Sequence, residues 1–293
     1  MSMIETLHVP EDSGTVSLEP WYVPEDQYTG SRRVLRFKEP HDGTALNLHV
    51  FEPAGAHPSD ALPAVCFFFG GGWRRGTPEH FYPQARYLSQ HRGYIAVCAE
   101  YRTEASHGTT PFAALEDAKS AMRWLRGHAA EIGIDASRLA AGGGSAGGHL
   151  AAACALVDGW DSPGDDASVS PRPDLLFLFN PVLNNADGNY GEDRLGEDAL
   201  RFSPAHNVRP GVPPTIILSG TEDHLVPPEI LRSFGSDVDG AGGEIELHLF
   251  DGEEHGFFNY SAPEASADRP NWRYGFVTTL QLTANFLDRH LQA

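Results

Sequence analysis

Residues 143–147 read Gly-Gly-Ser-Ala-Gly, the GxSxG pattern of a nucleophilic serine on a sharp turn between a strand and a helix. A short apolar run, Leu139 to Ala141, precedes the pattern, and a helix-like run, His149 to Leu156, follows it. On such a turn the Ser145 hydroxyl projects above the edge of a sheet and can attack a carbonyl carbon, while the glycines leave room for neighbouring backbone. The alternative is a glycine-rich connecting loop, and the rest of the chain favours the nucleophile.

Acyl transfer by a serine also needs a base for the hydroxyl proton and a carboxylate to orient that base. Asp223 follows the predicted strand Thr215 to Leu218 directly, which is where an orienting carboxylate is expected. Its alternative role is a turn or N-cap aspartate before the helix at Pro228. Glu222 is the rival acid, and the motif match given below favours Asp223.

His255 is the candidate base. It follows the late predicted strand Ile245 to Phe250 in a loop with Gly252 and Gly256, before the final predicted helix. The alternative is a surface-loop histidine, which loses weight once the serine and the aspartate are considered together. Three other histidines are assigned by default to structural or surface positions: His80, His149 and His224.

Donors for the developing oxyanion are suggested by the run Phe67 to Trp73, which ends the third predicted strand with three glycines. Successive glycines can turn two backbone N–H groups toward one point, and the N–H of Ala146 would be the third donor. The alternative is an ordinary glycine-rich turn. Trp73 either borders the substrate pocket and limits acyl size or is a packing residue.

The elements that must position these residues alternate between strands and helices, which predicts a mostly parallel, doubly wound α/β sheet of eight strands with helices on both faces. The two earliest strands alternate in polarity and the later ones are continuous, as expected for antiparallel edge strands beside a buried parallel sheet. Helices are predicted after Thr110 and Pro111 and at the C-terminus. The predicted strands are 34–37, 46–51, 64–69, 94–99, 138–141, 175–179, 215–218 and 245–250.

Two segments fall outside this alternation, residues 1–30 and residues 183–213. A loop as long as the second is usually functional, so it is interpreted as a lid or pocket wall, with a solvated excursion as the alternative. Residues 1–30 are a second candidate for pocket cover. No repeat or linker divides the chain, so residues 1–293 are predicted to form a single domain.

Composition limits the partners. A formal net charge of −19 among 293 residues argues against nucleic-acid and anionic-membrane binding, and it predicts weak affinity for anionic substrates unless a local basic pocket exists. No apolar run approaches the ~20 residues of a membrane helix. Residues 1–14 lack the pattern of a secretory signal. Three cysteines predicted to be buried, Cys66, Cys98 and Cys154, suit a reducing compartment, so a cytoplasmic location is expected.

Taken together, GGGW after the third strand, GxSxG, Asp in GTEDHLVP and His in EEHGFF resemble the α/β-hydrolase superfamily, and within it the hormone-sensitive-lipase-like carboxylesterases and carbohydrate acetyl esterases. The resemblance runs from about Ala64 to Asn259. It implies an α/β-hydrolase fold and oxyanion donors at Gly71 and Gly72. One departure is Phe69, which stands where the family's HGGG motif has its histidine.

The resemblance and the residues together predict a serine carboxylesterase that hydrolyses small-acyl or polar esters through an acyl-enzyme, with no metal or cofactor. Ser145 is the expected nucleophile, His255 the base and Asp223 the orienting acid. Two alternatives remain open: a lactone, macrolide or amide hydrolase with the same triad, and a non-catalytic ligand-binding protein on the same scaffold. A homodimer through the edge made by the last strand and the C-terminal helix is a further expectation from the resemblance.

Overall fold

Nine strands form one sheet in the computed structural model, which describes residues 3–10, 15–39, 43, 45–261 and 271–292. The strands are β1 (Met3–Leu7), β2 (Ser31–Lys38), β3 (Leu46–Glu52), β4 (Leu62–Phe68), β5 (Ile95–Ala99), β6 (Ile134–Gly144), β7 (Leu175–Phe179), β8 (Thr215–Gly220) and β9 (Ile245–Phe250). Their spatial order is β1-β9-β8-β7-β6-β4-β5-β3-β2. The pairs β2–β3 and β3–β5 are antiparallel and the other pairs are parallel. The predicted sheet class is confirmed.

Helices cover both faces of this sheet. The helices of the described residues are α1 (Tyr82–Arg92), α2 (Glu104–His107), α3 (Pro111–Gly127), α4 (Ala129–Ile132), α5 (Ala146–Leu156), α6 (Glu192–Leu195), α7 (Ala199–Phe202), α8 (Pro228–Gly240) and α9 (Trp272–Leu291). Helices α1 and α9 pack on one face, whereas α3, α5 and α8 pack on the other. Within the described parts of the chain, no helix is both long and apolar enough to cross a bilayer.

Strand β4 shows why the central strands are continuous apolar runs. Successive side chains of a strand point to opposite faces. Val65 and Phe67 therefore pack in the cluster with α1 and α9, while Cys66 and Phe68 pack in the cluster with α3, α5 and α8. Because both faces are covered by helices, no position in the strand can be polar without losing its hydration.

The predicted number of eight strands is wrong by one. Strand β1 lies in the polar start of the chain and pairs in parallel with β9, from Met3 beside Glu246 to Leu7 beside Phe250. The strand is short and half exposed, so it lacks the apolar run that marks the others. Its presence makes β9 an inner strand, so the expectation that the last strand forms the edge of the sheet is also wrong. The homodimer itself stays a prediction.

The two segments outside the predicted alternation have different surroundings. The segment 183–213 is not a plain loop, since it contains α6, α7 and two 3₁₀ turns, Gly196–Asp198 and Pro204–Asn207. It packs over α5. Of the first thirty residues, the described part beyond β1 packs beside α1, where Trp21 stacks on Tyr87 with ring centroids 4.9 Å apart.

Candidate active site

Ser145 stands at the junction of β6 and α5 with φ 55° and ψ −118°, a strained conformation for a residue with a side chain. The turn is held in place by the end of β7: the Ser145 N–H donates to Phe179 O (2.9 Å), and the Val182 N–H donates to Ser145 O (3.2 Å). The start of α5 lies so close to the end of β4 that position 147 must be glycine, since a Cβ there would lie 2.0 Å from the carbonyl oxygen of Phe68. This is the geometry of a nucleophile elbow, which lifts a serine hydroxyl clear of the sheet.

The structure brings Asp223 and His255 together from the loops after β8 and β9. His255 Nδ1 lies 2.7 Å from Asp223 Oδ2. The other carboxylate oxygen, Oδ1, accepts the backbone N–H groups of Leu225 (2.9 Å) and Val226 (2.8 Å). Both oxygens are therefore engaged, and the buried carboxylate orients the imidazole with Nδ1 as the protonated nitrogen and Nε2 as the acceptor.

Asn180, directly after β7, lines the cavity and contacts His255, and the sequence analysis did not single it out. It is fully buried, and its Oδ1 accepts the Gly256 N–H at 2.9 Å, which turns Nδ2 toward His255 Nε2 at 3.4 Å. The amide thus ties the histidine loop to the end of β7, the same strand end that holds Ser145. A strand-end asparagine followed by proline was the available signal, but only the fold reveals that it faces the histidine.

The three expected oxyanion donors lie beside the serine. Gly71 and Gly72 follow β4, the neighbour of β6, and Ala146 is the first residue of α5, whose N–H has no acceptor within the helix. The N–H groups of Gly71 and Gly72 donate to no other described residue. Gly72 has φ +65°, and a Cβ there would lie 2.2 Å from the Tyr190 hydroxyl, so glycine is required.

Two side chains support this loop where the family has one histidine. Phe69 stacks on Tyr101 with ring centroids 3.9 Å apart, and the Tyr101 hydroxyl donates to Phe69 O at 2.7 Å. His80 Nδ1 accepts the Gly70 N–H at 3.1 Å, and its Nε2 is hydrogen-bonded to Asn259 Oδ1 in the histidine loop. Burial lowers the pKa of His80, against the opposing effect of the Asn259 bond, so the neutral ring can accept from Gly70. The default assignment gave His80 no such contact.

A cavity of about 700 Å³ joins these parts. Its lining residues are Gly70, Gly71, Gly72, Arg74, Arg75, Gly76, His80, Ser145, Asn180, Tyr190, Leu225, His255, Gly256, Phe258 and Asn259. The Ser145 hydroxyl is not hydrogen-bonded to His255 in this arrangement, and such contacts often tighten only when substrate is bound. In the described parts of the chain, no group of three or more His, Cys, Asp or Glu residues is arranged to hold a metal ion.

Trp73 does not line this cavity. It is fully buried beneath the loop, with its ring edge-on to His149 at 5.1 Å between centroids, so the packing alternative describes its surroundings. From the segment 183–213 only Tyr190 reaches the cavity, while Asn185 is buried and donates to Tyr190 O (2.9 Å). No described residue among the first thirty lines it.

Comparison with known proteins agrees with this geometry. The sequence profile of the BD-FAE family matches residues 48–170. Esterase 2 of Thermogutta terrifontis superimposes with a TM-score of 0.81 at 38% identity, covering 91% of this chain and 97% of that one. The carboxylesterase NlhH of Mycobacterium tuberculosis is 39% identical over 119 residues, 40% of this chain and 36% of NlhH. Esterase LipC of the same organism is 28% identical over 234 residues, 71% of this chain and 55% of LipC.

The matched regions thus span less than two thirds of either mycobacterial relative, whereas the Thermogutta esterase is matched over nearly its whole length. The chain belongs to the α/β-hydrolase superfamily, among its hormone-sensitive-lipase-like carboxylesterases. Homologues and structural neighbours of this chain are ester hydrolases, and the acyl-enzyme mechanism is general for such enzymes.

Proposed function

We propose that the protein is a serine carboxylesterase that hydrolyses small esters through an acyl-enzyme on Ser145. One observation carries the proposal: a single cavity joins the strained serine, an imidazole oriented by a buried carboxylate, and a loop with two N–H groups that donate to none of the described residues. A binding protein would gain nothing from a strained serine in that position.

In the proposed reaction, Ser145 Oγ attacks the ester carbonyl carbon while its proton passes to His255 Nε2. The Asp223 carboxylate accepts the hydrogen bond from Nδ1–H and stabilises the imidazolium. The negative oxygen of the tetrahedral intermediate accepts N–H groups from the glycine loop and Ala146, which typically contribute roughly 3 to 4 kcal/mol per donor. Collapse releases the alcohol, which takes the proton from His255.

Deacylation repeats the sequence with water. His255 takes a proton from a water molecule as its oxygen attacks the acyl carbon, and the tetrahedral intermediate then expels Ser145 Oγ, which regains the proton. The products are a carboxylic acid and the free enzyme. The chain needs no external redox partner or cofactor for these steps.

A small acyl group is favoured by the solved relatives, since esterase 2 of Thermogutta terrifontis has been described with propionate bound and with butyrate bound. Tyr190 closes one side of the cavity beside the glycine loop, so we further propose that the segment 183–213 forms a pocket wall. All three cysteines are free and buried, which supports a reducing compartment such as the cytoplasm.

The test compares initial rates on p-nitrophenyl acetate, butyrate and octanoate for the wild type, Ser145→Ala and the matched control Ser236→Ala, an exposed serine on α8. Removal of the nucleophile should cost about a millionfold in kcat, and the control should retain wild-type rates. A wild type inactive on all three esters, and on a lactone and an anilide of the same acyl group, would favour the ligand-binding alternative.

A second measurement identifies the nucleophile directly. Paraoxon phosphorylates the Thermogutta esterase, so it is a suitable probe for this chain. Peptide mapping after treatment should find one diethylphosphoryl group on the peptide that carries Ser145 and none in Ser145→Ala. Labelling at a different serine would overturn the assignment of Ser145.

A further inference from the structure

The charge of the active-site cavity is opposite to that of the chain. The protein has a formal net charge of −19, yet the only Lys, Arg, Asp or Glu side chains among the described residues that line the cavity are Arg74 and Arg75. The described part of the lining contains no carboxylate. A ligand in this cavity therefore meets a locally positive surface inside an acidic protein, which is the local basic pocket that an anionic substrate requires.

Arg75 is placed to contact a bound ligand. It is exposed, and its N–H donates to Gly71 O at 3.2 Å, so its backbone is folded onto the glycine loop. Its Cγ lies 3.5 Å from the point where a Cβ of Gly71 would be, so the stem of the side chain crosses the oxyanion loop. Among the described residues, no carboxylate forms an ion pair with its guanidinium.

Arg74 belongs to a cluster with excess positive charge. Its Nε lies 3.6 Å from Glu104 Oε2, and Arg194 Nη2 lies 3.0 Å from the same oxygen. One carboxylate is thus shared by two guanidinium groups. Arg194 also donates to Gly72 O at 2.5 Å, which fixes this cluster to the oxyanion loop. The cluster retains one positive charge, and that of Arg75 adds to it.

We propose that the preferred substrates are esters that carry a carboxylate group, and that Arg75 binds this group. The planar guanidinium fork matches the two oxygens of a carboxylate, and a single arginine that pairs with no described carboxylate matches its single charge. The inference rests on the proposed esterase function and names the substrate class of the same site. Arg74 contributes positive potential at the cavity, while the ion pair with Glu104 keeps its own guanidinium engaged.

The test uses two pairs of esters, each an acid and its methyl ester. Mono-p-nitrophenyl adipate carries the carboxylate on the acyl side, and 4-acetoxybenzoate carries it on the alcohol side. For each pair the ratio of kcat/KM for the acid to kcat/KM for the methyl ester is measured in wild type, Arg75→Gln, Arg75→Glu and the control Arg232→Gln. Arg232 is an exposed arginine on α8, outside the cavity lining.

The ratio separates charge recognition from damage to the oxyanion loop, because both members of a pair use the same loop. We expect the wild type to prefer the acid in at least one pair, and Arg75→Gln to lower that ratio about three- to tenfold. Arg75→Glu should lower the ratio further, and Arg232→Gln should keep the wild-type value. Raising NaCl from 0.05 to 0.5 M should also reduce the wild-type preference, because salt screens exposed charges.

The results separate this proposal from the esterase function itself. Hydrolysis of the neutral methyl esters without any preference for the acids, or a ratio that Arg75→Gln leaves unchanged, overturns the carboxylate proposal and leaves the esterase function intact. Failure of the wild type to hydrolyse any of the four esters overturns the proposed function instead. The ester pair whose acid-to-methyl-ester ratio falls in Arg75→Gln identifies whether Arg75 binds the acyl side or the alcohol side of the substrate.

Discussion

Two buried aspartates, Asp117 and Asp223, have the same side chain and nearly the same burial, but their partners differ. Asp117 accepts two bonds from the Arg102 guanidinium, at 2.8 and 2.9 Å, and forms an ion pair with Lys38 at 2.7 Å. Asp223 accepts two backbone N–H groups and pairs with one imidazole, that of His255. Both carboxylates are almost inaccessible to solvent.

The difference shows which property of a buried carboxylate marks a functional site. The partners of Asp117 are two cationic side chains, and that cluster ties β2 and the end of β5 to α3. The partner of Asp223 can gain and lose a proton, and the far side of its ring faces a cavity. Burial is common to both, whereas a titratable partner with access to ligand belongs only to Asp223.

Of the aspartate and histidine substitutions, Asp223→Asn is expected to reduce kcat most. The amide can donate to His255 Nδ1 and so favours the tautomer that cannot act as the base. Losses of this kind in serine triads are about 10⁴-fold in kcat, and we expect a similar loss here with little change in Tm. Steady-state rates on p-nitrophenyl acetate and a thermal melt check both points. A variant with more than a tenth of wild-type kcat would contradict the role of Asp223.

The counterpart Asp117→Asn should damage the fold and spare the chemistry. Loss of the carboxylate leaves the partly buried Lys38 without its ion pair and Arg102 with Glu116 alone, so we expect a cost of about 3 kcal/mol in the free energy of unfolding, the lower end for a broken buried pair. Urea denaturation measures this cost, and kcat of the folded fraction should stay within a few-fold of wild type. Equal loss of kcat in the two aspartate variants would abolish the distinction between them.

His149 extends the comparison to a buried titratable group without a carboxylate partner. Burial lowers its pKa to about 4 from 6.5, and its Nε2 lies 3.0 Å from Phe202 O. Between pH 6.5 and 4 this histidine is protonated in the unfolded chain but stays neutral in the folded chain. The free energy of unfolding therefore decreases as the pH falls, by about 3 kcal/mol over that window. Urea unfolding at several pH values should give a shallower dependence for His149→Leu. An unchanged slope would contradict this assignment.

The smallest effect is expected from His80, which is partly buried at the cavity wall and contacts the oxyanion loop, unlike the fully buried His149. His80→Ala removes the acceptor of the Gly70 N–H and also the bond to Asn259 Oδ1. The loss at the oxyanion loop is one hydrogen bond of about 1.4 kcal/mol, which corresponds to about tenfold in kcat with little change in KM. The control is His206→Ala, which changes an exposed histidine outside the cavity lining. If kcat of His80→Ala equals that of the control, His80 is a packing residue only.

Much of the site could be predicted from the sequence because its parts follow strand ends. Ser145, Asp223 and His255 each follow an apolar run, and the carboxyl ends of parallel strands meet at one edge of the sheet. The residues that were missed, Asn180 and His80, act through contacts that their local sequence does not predict, although Asn180 does follow a strand end. Asn180 contacts His255 and Gly256, and His80 links Gly70 to Asn259. Such contacts are set by how the loops pack rather than by spacing along the chain.

By itself, the sequence determined the sheet class, the positions of its central strands along the chain and the elbow, because periodicity and glycine placement are local properties of the chain. Only the tertiary structure showed that β1 pairs with β9 at the edge of the sheet. It also showed that Trp73 is buried behind Tyr190 and that the Arg75 side chain lies over the oxyanion loop. These depend on which surfaces meet after folding, and polar or isolated residues give no periodic signal of where they will pack.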